Sequence, residues 1–377
     1  MKKSWISVCA AAVMASASTV AAAQAGVTDT RILIGQTVGL TGTVAGPVKE
    51  TNEGALAYLK EVNQRGGVHG RQIEMVILDD KFDPALTKQN AERLIQKDRV
   101  FMLFGGRGTP HTQGIVPMLL ENGVPLVAPN TGAAIFHDPV IPMLFNVRAP
   151  YQDEIAQAVQ HFSTIGMSSI SLLYVDDAFG KDGLEGFNKA MAARNLTPTA
   201  ITTFARVDPD FDAAAREVIR HQPGALIVVS SAKNTAGVIK AIRAQGGRMQ
   251  IMTMSNNSSQ AFMEDLGPAG AGVIVSQITP APHLISTPLG KEFNDLAKKH
   301  NVTISYAAME GFVNAKVLVE GLRRAGRDLT RERFVRAMQS MQRVDFGGVM
   351  VTYGPKDHSG SEFVELTMIG RNGRIIR

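Results

Sequence analysis

Six stretches rich in Gly, Thr, Ser and Asn stand where an apolar run ends and a helical pattern begins. They are residues 40–47 (LTGTVAGP), 105–109 (GGRGT), 130–133 (NTGA), 176–183 (DDAFGKDG), 230–234 (SSAKN) and 255–258 (SNNS). Small polar side chains followed by the free N–H groups and positive dipole end of a helix suit an anion such as a carboxylate. Thr109, directly before Pro110, is the clearest case: its hydroxyl can cap the following helix or bond the anion itself. Arg107 adds a guanidinium that either receives a carboxylate bidentately or turns to solvent or a loop acid. The pairs Asp79-Asp80 and Asp176-Asp177 end strands at the same side, as ligand groups or as solvated loop residues and helix caps.

Other chemistry finds little support. Gly105-Gly106-Arg107-Gly108 sits where a dinucleotide fingerprint would, but position 111 is His rather than Gly, and no Walker lysine follows. There is no G-x-S-x-G elbow, and the eight histidines are dispersed from His69 to His358 without zinc spacing. The single cysteine, Cys9, falls in the N-terminal segment treated below, which leaves no thiolate for catalysis or metal binding. No catalytic residue, metal or cofactor is expected.

The elements that position these loops follow an α/β alternation. Apolar or β-branched runs at 31–38, 72–78, 100–104 and 125–128 predict strands, separated by helices at 48–65, 83–98 and 110–121. The run VFMLF at 100–104 is apolar throughout, as a strand buried on both faces must be. The pattern restarts with a helix at 151–166 and strands at 170–174, 199–204, 225–229 and 250–253. Helices at 288–301, 305–325 and 330–340 follow, and the chain closes with a strand pair at 349–353 and 363–369. A chain of 377 residues exceeds what one hydrophobic core usually serves, which suggests two units.

Residues 1–25 read as a cleaved secretory signal: Lys2 and Lys3, a mildly apolar stretch at 5–20, and Ala23-Gln24-Ala25 as the cleavage site. About 16 residues diluted by serines are too few to cross a bilayer that needs roughly 20. Without Lys2 and Lys3 the formal charge falls from +5 to +3, with Lys and Arg scattered among acids. That pattern argues against a nucleic-acid surface.

The segments ILIGQTVGLTG, NEGALAYLKEVNQRGGVHGRQIEMVILDD, DPALTKQNAERLI, VPLVAPNTGA, FNVRAPYQDE, DDAFGKDGLEGF and FGGVMVTYGPKDHSGSEFVEL occur in this order over essentially the whole chain beyond residue 25. Together they resemble the periplasmic substrate-binding components of branched-chain amino acid (Leu/Ile/Val-type) ABC transporters. The resemblance implies a type I periplasmic-binding fold, in which two Rossmann-like α/β lobes flank a central ligand cleft. Residues 26–149 and 279–342 would form lobe 1, and 150–278 and 343–377 lobe 2, with three crossovers near Ala149, Thr279 and Arg343. It further implies that Thr109 and the Asn130-Thr131-Gly132 backbone hold a ligand carboxylate. Phe179, Ser231 and Ser255 would face it from lobe 2, with Tyr151 at the hinge side and Tyr306 near the pocket wall. Implied partners are a small amino acid or organic carboxylate and a membrane permease, with no nucleic acid, for a monomer in the periplasm. A periplasmic sensor for a signalling receptor, or an enzyme on a Rossmann-like fold, are the alternatives.

The sequence departs from the family in two places. The position whose acid takes the ligand ammonium falls on Ser255, and Asn256 and Asn257 beside it are also neutral, which leaves Asp153, Asp176 or Asp177 as substitutes. Arg107 stands where the family usually has an apolar residue. An acid lost and a guanidinium gained favour an organic or aromatic carboxylate over an α-amino acid.

Overall fold

The computed structural model describes residues 24–376, so the expected signal segment lies, up to residue 23, outside the described residues. The first apolar runs form a five-stranded, wholly parallel sheet of β1 (Arg31–Val38), β2 (Gln72–Asp79), β3 (Met102–Phe104), β4 (Leu126–Val127) and β5 (Leu144–Phe145), in the order β2-β1-β3-β4-β5. Its connecting helices are α1 (Ala45–Gln64), α2 (Pro84–Glu92) and α3 (Thr109–Asn122). Asp83 caps α2 by accepting the Ala85 N–H, with Pro84 at the first helical position, as the sequence predicts.

The chain then builds a second sheet. α4 (Tyr151–Thr164), β6 (Ile170–Val175), α5 (Ala178–Ala192), β7 (Ala200–Phe204), α6 (Phe211–Arg220), β8 (Ala225–Val229), α7 (Ala232–Ala244), β9 (Gln250–Thr253), α8 (Gln260–Leu266) and β10 (Ile274–Gln277) follow in order. Three helices, α9 (Pro288–His300), α10 (Tyr306–Ala325) and α11 (Arg331–Gln339), return to the first sheet. After them come β11 (Val344–Asp345), β12 (Met350–Gly354), β13 (Asp357–Gly360), β14 (Glu365–Ile369) and β15 (Ile375–Ile376). The second sheet runs β15-β14-β10-β9-β8-β6-β7, with every pairing parallel except the two that β14 makes, with β10 and β15.

Two expectations about the chain's end need correction. The strands near 349–353 and 363–369 do not pair with each other: β12 pairs with β11 and β13 in a small separate sheet, whereas β14 pairs with β10. That small sheet belongs to the first lobe. Val351 and Tyr353 are buried in the core under α1, α9 and α10, and the Tyr353 hydroxyl donates to the Asn146 carbonyl at 2.6 Å. The third crossing therefore falls between Ser361, whose N–H still reaches Val147 O at 3.1 Å, and β14, rather than near Arg343. The other two passages follow Arg148 and Gln277.

Among the described residues three large apolar clusters hold the layers, and a small fourth joins Val38, Val44 and Val48. One fills the space between the first sheet and α1, α9, α10 and α11. The second covers the other face of that sheet and continues through Tyr151 and Phe179 onto the second sheet. The third lies under α6, α7 and α8. In the first cluster α1 and α10 cross so closely that a Cβ built on Gly311 would lie 1.8 Å from Thr51 O. Gly311→Ala is expected to cost about 1–3 kcal/mol through overpacking, beyond the roughly 1 kcal/mol that alanine returns as helix propensity. Urea denaturation checks this; an unchanged midpoint would mean the two helices separate without cost.

Candidate functional site

Both sheets reverse their strand order between neighbours whose carboxyl ends face the same gap: β1 and β3 in the first, β6 and β8 in the second. Open parallel sheets bind ligands at such switch points. The polar loops of the sequence gather there. Residues 105–108 leave β3 in left-handed turns, with Gly105, Gly106 and Gly108 all at positive φ. They extend the sheet by pairing Arg107 with Asn130: Asn130 N donates to Gly106 O at 2.8 Å and Gly108 N to Asn130 O at 3.2 Å. A Cβ on Gly108 would strike the His111 ring at 2.4 Å, so the turn that aims Arg107 requires glycine.

Arg107 turns inward. The residue is 6% exposed, and its guanidinium donates to Asn130 Oδ1 at 3.0 Å and reaches across to the Asn256 carbonyl of the second lobe at 2.6 Å. Both acceptors are uncharged. Asn130 in turn donates to Glu310 Oε1 at 2.8 Å. Burial lowers the pKa of Arg107, opposed by Tyr151 and Glu310, and burial raises that of Glu310, opposed by Arg148 and Arg107.

Around Arg107 lie Thr109, Asn130, Tyr151, Phe179 and Ser231, all expected site residues, together with Val44, Phe82, Arg206 and Asn256. In this closed arrangement they enclose about 20 Å³, room for one water-sized group. Thr109 and Thr131 share a hydroxyl–hydroxyl bond of 2.8 Å at the start of α3, and Gly132 accepts the Tyr151 N–H at 2.7 Å. Tyr151 and Phe179 meet with ring centres 4.9 Å apart. Ser231 is buried at the N-terminus of α7 and makes no capping bond there.

Of the other expected residues, Thr131 and Gly132 are bonded to the lining through Thr109 and Tyr151 without forming it, and Ser255 and Tyr306 stand elsewhere. Ser255 does not wall the cavity: its N–H donates to Glu154 Oε2 at 2.8 Å and its hydroxyl to Glu154 Oε1 at 3.0 Å, while Arg148 donates to the same hydroxyl at 2.7 Å. Tyr306 lines a separate cavity with Ser305, His283 and Gln260, and its hydroxyl donates to Glu365 at 3.3 Å. The acids at strand ends are structural. Asp79 binds the 40–41 loop, Asp80 holds Thr37 and Thr87, Asp176 pairs with Lys181, and Asp177 caps α5 and pairs with Arg206.

Several residues went unassigned from the sequence. Arg148 and Glu154 form a wholly buried ion pair, and Ser276 adds another hydroxyl to the carboxylate. Burial acts to lower the Arg148 pKa, but Tyr151, Glu154 and Glu310 outweigh it and hold it raised. Two further contacts join the lobes. Glu50 of α1 accepts the Gln260 and Ala261 N–H groups at the start of α8, both at 2.8 Å. Arg206 lies 5.1 Å over the Phe82 ring, which stacks on His111 at 4.4 Å. The signals were present: Arg148 directly precedes Ala149-Pro150, Glu154 follows in the first turn of the next helix, and Glu310 is a lone acid in the apolar start of α10.

Comparison with known proteins agrees with this architecture. A family model described as periplasmic binding protein matches residues 31–374. A substrate-binding periplasmic protein from Ralstonia solanacearum has a solved structure that is 30% identical, with a TM-score of 0.85 over 92% of this chain and 99% of that one. A Leu/Ile/Val-binding protein homolog from Brucella melitensis is 22% identical over 83% of this chain and 84% of its own length. A branched-chain amino acid ABC transporter protein from Thermus thermophilus, solved with bound valine, shares the fold at 17% identity, with a TM-score of 0.81 over 92% of this chain and 94% of that one. The two-lobed α/β architecture with its polar interlobe cleft, and the match over nearly the whole described chain, make this protein a member of the periplasmic binding protein family.

Proposed function

We propose that the protein is the solute-binding component of an ABC importer, acting in the periplasm and handing a small carboxylate-bearing solute to a membrane permease. The observation that carries this reading is Arg107: a buried guanidinium at the meeting point of the two lobes, bonded only to uncharged oxygens, beside hydroxyls from both sides. The names of the Leu/Ile/Val-binding relatives support the transport role. With about 20 Å³ in the closed cleft, a solute larger than water enters with the lobes apart and takes the place of the Arg107–Asn256 contact. Closure is then favoured because both lobes contact the solute only in the closed form.

A thermal-shift screen of the purified protein against amino acids and carboxylic acids tests the reading, since a solute that binds only the folded form raises its melting temperature. Thr109→Ala removes one hydroxyl from the cleft and is expected to weaken the best hit about tenfold. Unchanged affinity in that variant would remove Thr109 from the anion subsite.

A further inference from the structure

We propose that the solute is a carboxylate that carries no ammonium group and has a compact apolar or aromatic body; this rests on the interlobe cleft being the solute site. Among the described residues lining the cavity there is no aspartate or glutamate, whereas there are two arginines, Arg107 and Arg206. The apolar walls are Val44, Phe82, Tyr151 and Phe179.

Of the acids close to the cavity, Glu154 and Asp177 are already engaged and Glu310 is not on its lining. Glu154 receives the Ser255 N–H and hydroxyl, the Ser276 hydroxyl and Arg148, which occupies both carboxylate oxygens. Glu310 stands behind Asn130, which donates to it, and it acts electrostatically with Arg107 and Arg148. Asp177 is committed to the start of α5 and to Arg206.

An ammonium closed into this space would lose its water, face the Arg107 guanidinium and an Arg206 already paired with Asp177, and meet no carboxylate on the lining. A buried cation without a partner is strongly unfavourable, and a like charge adds to the cost. A carboxylate meets the opposite situation. Arg107 is a buried charge whose direct partners are an amide oxygen and a backbone carbonyl, with Glu310 acting on it only across Asn130, so a solute carboxylate supplies the direct counter-ion.

The test uses matched pairs that differ only at the α-carbon: leucine with 4-methyl-2-oxopentanoate and with 2-hydroxy-4-methylpentanoate, and phenylalanine with phenylpyruvate and with phenyllactate. Calorimetry on the purified protein is expected to give the acids without ammonium about 30-fold or greater preference. An amino acid that binds as well as its partner acid overturns the inference while leaving the carrier reading in place. Failure of both members of every pair overturns the two together. Ser231→Asp supplies the missing acid at the N-terminus of α7, where an aspartate is well tolerated. It is expected to shift the preference at least about tenfold toward the amino acids. A folded variant that keeps the wild-type ratio overturns the inference.

Discussion

Replacing Arg107 by Met is expected to lower affinity for the solute about 100-fold or more while leaving the protein folded. Charge-assisted bonds from a buried guanidinium contribute about 2–5 kcal/mol when one partner is removed, and about 1.4 kcal/mol corresponds to a factor of ten. The substitution keeps the length and volume that separate Asn130 from Asn256, so the loss falls on the anion contact rather than on packing. Arg107→Lys keeps the charge but not the fork that spans both oxygens, and an intermediate loss is expected. Calorimetry together with urea denaturation separates binding from stability. Affinity within threefold of wild type in Arg107→Met would exclude Arg107 as the anion receptor.

The largest effect on stability is expected at Glu154. Its carboxylate and the Arg148 guanidinium are both essentially inaccessible to water, and the pair draws Ser255 and Ser276 onto one centre. Glu154→Leu strands Arg148 as an uncompensated buried charge, a loss of about 3–5 kcal/mol. Removing the partner as well, in Arg148→Met with Glu154→Leu, is expected to recover much of that loss, because two apolar groups need no counter-ion. Urea titrations of the single and double variants measure both terms. A double variant no more stable than Glu154→Leu would mean that the site depends on the pair for more than charge balance.

The strand and helix periods made most of the fold legible, because buried parallel strands and amphipathic helices leave strong local patterns. That Thr109 and Arg107 stand at a strand-to-helix turn was legible from the apolar run before them and Pro110 after them. The buried acids could not. Glu154 lies in the first turn of α4, where an acid is equally explained by the helix dipole. Its role depends on β9 and β10 bringing Ser255 and Ser276 against it, a pairing no local pattern encodes. Tyr306 was misplaced for a related reason: the start of a long helix looks the same whichever cavity it borders, and α10 begins beside the cavity at His283 rather than the one at Arg107. The hairpin of β12 and β13 shows the same limit. Alternation predicts strands at the end of the chain, but not that β12 joins β11 and β13 while β14 joins β10.

A crystal structure of the protein with its best-binding acid is the most direct test of a carboxylate clasped between the lobes. The expected density places the carboxylate on the Arg107 guanidinium, with Thr109 on one side and Ser231 on the other, and with the Arg107–Asn256 bond replaced. A solute found on the outer surface, or in the cleft with Arg107 still bonded to Asn256 O, would contradict the account.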